Sequence, residues 1–143
     1  MALKSPRTFE LTIPSRLEEL EAVTQLISEA STAVGLSEDV AYWLELTISE
    51  SIINAIRHGN QSDPGKQAHL AISFDGEDVE ILVEDEGEGF ELDELADPRK
   101  DENILKPCGR GILIIKSFMD NVQLVPRKGG GTCLRMVKKL EQA

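Results

Sequence analysis

The sequence predicts an α+β fold: a two-layer sandwich of mixed, mostly antiparallel sheet with helices on one face. Three observations carry this expectation. Helical periodicity is grouped in one stretch, strand-like alternation recurs in pairs joined by short turns, and the alternation leaves one sheet face polar. At 143 residues the chain has the size of one domain, so residues 1–143 are read as a single unit around one core.

Phe9, Leu11 and Ile13 alternate with polar residues before Pro14, which predicts a first strand with one buried face. Ser15-Arg16-Leu17-Glu18 has capping-box spacing. Leu17, Leu20, Val23, Leu26/Ile27 and Ala30 follow at three- and four-residue steps, which predicts an amphipathic helix to about Gly35. Ser37 is the next candidate cap, and no proline or glycine interrupts the helical pattern from Glu38 to Gly59. Its core face holds Ala41, Leu44, Ile48, Ile52 and Ala55. The opposite side groups Glu50, Asn54 and Arg57 with the apolar Trp43, Leu46 and Ile53, so something is expected to cover it.

Leu70, Ile72 and Phe74 alternate, Asp75-Gly76 breaks the run, and Val79, Ile81 and Val83 alternate again: an antiparallel hairpin. Residues 91–108 carry two prolines and many acids without a sustained period, which predicts a long loop with one helical turn near Leu92–Leu95. Gly111 to Met119 reads as helical. Val122–Val125 and Thr132–Val137 read as two strands joined through Gly129-Gly130-Gly131.

Twenty-six acidic against fifteen basic residues give a formal charge of −11, which repels nucleic-acid backbones and anionic lipid. Direct nucleic-acid or membrane binding is therefore not expected. A single nucleotide remains compatible, because backbone N–H groups, a helix N-terminus and Mg²⁺ can hold phosphates locally. The two cysteines, Cys108 and Cys133, lack metal-ligand spacing, and the N-terminus lacks a signal-peptide layout, so the cytoplasm is the expected compartment.

Four constellations carry chemistry. Glu50 and Asn54, four residues apart on a helix, stack a carboxylate and a carboxamide about 6 Å apart. The amide oxygen is a hard ligand for Mg²⁺ and the carboxylate can take a hydroxyl proton, although such pairs also occur on solvated helices. Asp85-Glu86-Gly87-Glu88-Gly89-Phe90 places an acid at a strand end before two alternate glycines. That acid can accept from an exocyclic amino group such as adenine's, and the alternative is a plain glycine-rich turn. Gly109-Arg110-Gly111 stands at a loop-to-helix junction, either a phosphate site or a loop end. Gly131-Thr132 opens the last strand, where a hairpin turn is the alternative.

In this order and with these separations, the four resemble the GHKL superfamily of gyrase, MutL, histidine kinases and related ATPases over nearly the whole chain. Glu50 and Asn54 resemble its N box, Asp85, Gly87 and Gly89 its G1 box, Gly109 and Gly111 its G2 box, and Thr132 its threonine of the last strands. Ser-Glu-Ser-Ile-Ile-Asn-Ala-Ile-Arg-His-Gly at residues 49–59 and Gly-Arg-Gly-Ile-Leu-Ile-Ile-Lys-Ser-Phe-Met-Asp at residues 109–120 are most similar to the anti-sigma-factor serine kinases of the RsbW type.

That resemblance implies a Bergerat-type fold with ATP between the long helix and a lid at residues 91–108. It implies Asp85 as adenine reader, Asn54 as Mg²⁺ ligand, Glu50 as general base, and Arg57, Arg110 and the adjacent backbone near the nucleotide. It also implies an anti-anti-sigma (STAS) protein as substrate and a sigma factor as competing partner. Members often form homodimers, for which the first strand and helix are candidate surfaces. No stretch is left for a phosphoacceptor-histidine helix, so histidine autokinase activity is not expected. A non-catalytic ATP-dependent binding module and a regulatory ATPase stay open as alternatives, because both use the same residues.

Overall fold

The computed structural model describes residues 7–87, 115, 117–127 and 130–140. Strand β1 (Arg7–Pro14) leads into helices α1 (Leu20–Val34) and α2 (Glu38–Asn54), followed by β2 (Gln67–Asp75), β3 (Asp78–Asp85), β4 (Asn121–Pro126) and β5 (Thr132–Lys139). The sheet order is β1-β2-β3-β5-β4. Every described strand pair is antiparallel, so the sheet is more uniform than the mixed one expected.

Period-two alternation decides which side of the sheet is dry. Phe9, Leu11 and Ile13 of β1 lie opposite Ile72, Leu70 and Ala68 of β2, and Val79, Ile81 and Val83 of β3 continue the same layer. The apolar stripes of α1 (Val23, Ile27, Ala30) and α2 (Leu44, Ile48, Ile52) close over it. Each fully buried aliphatic side chain in this layer contributes about 1.5–3 kcal/mol. The reverse face is polar, with Thr12 bonded to His69 at 2.7 Å and Arg135 paired with Glu80 at 2.7 Å.

Two helix boundaries depart from expectation. Ser15 does not cap α1: its hydroxyl donates to the Lys66 carbonyl at 2.8 Å and accepts from Asn60 Nδ2 at 2.7 Å. With that oxygen committed to distant partners, Leu17–Glu19 forms a 3₁₀ turn and α1 begins only at Leu20, without a side-chain cap. Ser37 does cap α2, accepting from the Val40 N–H at 3.3 Å. The far end of α2 widens into a π turn over Ala55–Gly59, closed by Asn60 N–H donating to the Ala55 carbonyl at 2.8 Å.

The mixed face of α2 is partly covered, as its composition suggested. Trp43, 44% exposed, stacks on Phe118 with ring centroids 6.3 Å apart and planes at 19°. Ile115 and Met119 beside Phe118 enter the core. The predicted helical character of this stretch holds at the residues described, where Met119 N–H donates to the Ile115 carbonyl at 2.9 Å. The lid expected at 91–108 lies outside the described residues.

Candidate functional site

Asp85 is the last inward-facing residue of β3, in line with Val79, Ile81 and Val83. The alternation that fills the core thus ends on a carboxylate, 2% exposed. Burial pushes its carboxyl above the ordinary value, while hydrogen bonds from the Gly87 and Thr132 backbones and the charges of Arg127 and Lys66 pull it back. The Gly87 N–H donates to Asp85 Oδ1 at 3.0 Å. Thr132, also buried, is the residue directly opposite Asp85 in the β3–β5 ladder.

Three backbones converge on this acid. A Cβ on Gly59 would strike the Asp85 carboxylate, one on Gly87 the Gly59 carbonyl, and one on Gly131 the Asp85 carbonyl. Only hydrogen side chains allow the end of the π turn, the turn after β3 and the start of β5 to meet here.

One π turn before Gly59 stands Asn54. Counting 100° per residue places it about 80° from Leu44, on the flank of the core face and not opposite it. It accordingly lies in a buried polar stripe with Thr47 and Ser51, which corrects the expectation of a position on the outward side. Ser51 Oγ donates to the Thr47 carbonyl at 2.8 Å. Asn54 is 0% exposed, and neither Oδ1 nor Nδ2 has a hydrogen-bond partner among the described residues. A buried carboxamide left without a partner costs about 1–3 kcal/mol, a cost that a bound ligand would relieve.

Glu50, one turn earlier, is half-buried. Desolvation raises its carboxyl above the ordinary value and the charge of Arg57 opposes the rise. Arg57 itself is exposed, two turns along the same face. A carboxyl held above its usual range is poised to exchange a proton closer to neutrality.

The structure therefore gathers Asp85, Gly87 and Thr132 at one end of the sheet beside the π turn that carries Arg57, with Asn54 and then Glu50 leading away along α2. Gly89, Gly109, Arg110 and Gly111 lie outside the described residues. Sequence reasoning assigned no role to Gly59 or Asn60, both fully enclosed. A glycine at the close of a long helix was the available signal for the first, whereas Asn60 read as an ordinary loop residue. The residues present fit a Mg²⁺-nucleotide: an amide unpaired among the described residues, a buried acceptor carboxylate at Asp85, and a floor of backbone where a Cβ would intrude.

Comparison with known proteins identifies the family and the fold. The family described as Histidine kinase-like ATPase domain matches residues 13–138. The chain is 26% identical over 148 aligned positions to the serine-protein kinase RsbW of Halalkalibacterium halodurans, covering 99% of this chain and 89% of that one. It is 31% identical over 104 residues to the anti-sigma F factor of Oceanobacillus iheyensis, covering 70% of each. Among solved structures, the RsbU and RsbW domains of a Mycobacterium tuberculosis protein superpose with a TM-score of 0.67 at 16% identity, which speaks for the fold. That alignment spans 94% of this chain and 32% of the longer one.

Proposed function

We infer that this chain, which belongs to the histidine kinase-like ATPase domain family, is an ATP-dependent protein serine kinase and anti-sigma factor of the cytoplasm. It transfers the γ-phosphoryl group of ATP to a serine of an anti-anti-sigma (STAS) protein and sequesters a sigma factor. The observation that carries this reading is the orphan Asn54 carboxamide, buried one helical turn beyond a desolvated Glu50. The kinase and anti-sigma names of the relatives support the choice of reaction and partners.

In this reading Asn54 Oδ1 binds Mg²⁺, which supplies charge neutralisation at the phosphates. Asp85 accepts a hydrogen bond from the adenine amino group, the Gly87 and Thr132 backbones hold that carboxylate in place, and Gly89, Gly109, Arg110 and Gly111 complete the phosphate cradle. Glu50 accepts the proton of the serine hydroxyl as its oxygen bonds to the γ-phosphorus and the bond to the bridging oxygen breaks, releasing ADP. Arg57 sits close enough to Glu50 to temper its basicity. Among the described residues no helix is long and apolar enough to cross a membrane.

Incubation with Mg·ATP and a STAS protein of the same organism should yield phosphoserine on the STAS protein. Glu50→Gln should lower that rate on the order of 10²–10⁴-fold, the usual worth of a general base, and leave ATP affinity within about twofold. Undiminished transfer by Glu50→Gln would remove the base assignment, and failure of the wild-type protein to label any such partner would remove the kinase reading. The pH profile follows from the raised Glu50 carboxyl: transfer should climb as pH rises through that value and then level off. Stability runs the other way. Between the ordinary and the raised value the native state holds more protons than the unfolded chain, so stability falls as pH rises across that window.

A further inference from the structure

Asn60 follows the π turn and is fully buried, with every polar atom of its side chain in use. Its Nδ2 donates to Ser15 Oγ at 2.7 Å and to the Gln67 carbonyl at 3.0 Å, and its Oδ1 accepts from the Glu86 N–H at 2.8 Å. Glu86 answers with its own carboxylate, which accepts from the Gln67 N–H at 2.7 Å. One carboxamide thus ties together the residue after β1, the first residue of β2 and the residue after β3. Its direction depends on the π turn, since the i−5 bond from Asn60 N–H to Ala55 sets where the chain leaves α2.

Glu86 lies between Asp85 and Gly87, the carboxylate and the N–H that orients it. A side chain ending in a carboxylate can turn about two bonds, so its aim is set by the donors around it. The Gly87 N–H belongs to the next peptide unit along, so its position follows from that of the Asp85–Glu86 peptide, whose N–H Asn60 Oδ1 holds. We propose that Asn60 is the positioning residue of the base site: through the Glu86 N–H it holds the turn after β3 so that Asp85 faces a 6-amino purine. This inference rests on the reading of Asp85 as the base-recognition group.

The test is calorimetric titration of the 143-residue chain with ATP and with inosine triphosphate, which carries a 6-oxo group in place of the 6-amino group. The wild-type protein should prefer ATP. Asn60→Ala should lower that preference on the order of tenfold, the worth of one well-aimed hydrogen bond to a charged acceptor. The Mg²⁺ dependence of ATP binding should persist. Ser15→Ala removes a partner of Nδ2 but leaves the Oδ1 bond to Glu86, so it should lower the thermal midpoint and keep the preference within about twofold, because the base contact is untouched. Should Asn60→Ala not fold, Asn60→Ser carries the same expectation, its hydroxyl being too short to span to Glu86.

An Asn60 variant that keeps the wild-type preference, or that loses affinity for both nucleotides equally, would overturn the positioning role. Asp85→Asn separates the two layers of the argument. If it abolishes the preference and Asn60→Ala does not, only the inference about Asn60 falls. If the wild-type protein itself binds both nucleotides alike, the reading of Asp85 falls first.

Discussion

Asn54→Leu is expected to make this protein more stable and nearly inactive. The wild-type carboxamide is fully buried with both polar atoms unpaired among the described residues. Replacing it with an apolar group of similar size removes the desolvation penalty, so unfolding should require about 1–3 kcal/mol more, read as a higher urea midpoint at unchanged slope. The same change deletes the proposed metal ligand. Positioning and charge neutralisation supply most of the catalysis of phosphoryl transfer, so turnover should drop on the order of 100-fold or more. A group that costs stability and is retained is expected where function requires it. A destabilised Asn54→Leu protein would show that the amide has a structural partner, and a stable, fully active one would show that it has no role in transfer.

Gly87→Ala is expected to act in the opposite sense on stability and in the same sense on function. The added methyl would fall on the Gly59 carbonyl, which is backbone and cannot swing aside. Overpacking of this kind costs about 1–3 kcal/mol, and relief requires the turn after β3 to move away from the end of α2. That movement carries off the Gly87 N–H that orients Asp85. ATP affinity should fall on the order of 10–100-fold, in keeping with the loss of a hydrogen bond to a charged group. Melting and nucleotide titration of the same sample read both effects. An unchanged affinity would mean that the close approach of these two backbones is incidental to binding.

Most of the architecture was legible in the sequence because its signals are local. Alternation located the five described strands, and three- and four-residue apolar steps located α1 and α2. What escaped notice is non-local. Ser15 carries a capping-box pattern, yet its hydroxyl is bound by Lys66, 51 residues away, and by Asn60. A π turn has no periodicity signature over five residues, so α2 read as one helix to Gly59. Asn54 falls on the boundary of the helical wheel, where small angular differences decide between core and solvent. Gly59, Gly87 and Gly131 are individually ordinary. Their convergence on Asp85 exists only once the sheet closes. The proposed site positions Glu50, Asn54, Asp85 and Thr132 stood out only jointly: each pattern alone has an ordinary structural alternative, and it was the resemblance of the four in order that singled them out.

The most direct test of the account is isothermal titration of ATP into the wild-type protein and into Asn54→Leu, each with and without Mg²⁺. The account predicts that the wild-type protein binds ATP and binds it more tightly with Mg²⁺, and that Asn54→Leu loses this gain. Absence of ATP binding by the wild-type protein, or a Mg²⁺ gain that survives in Asn54→Leu, would contradict it.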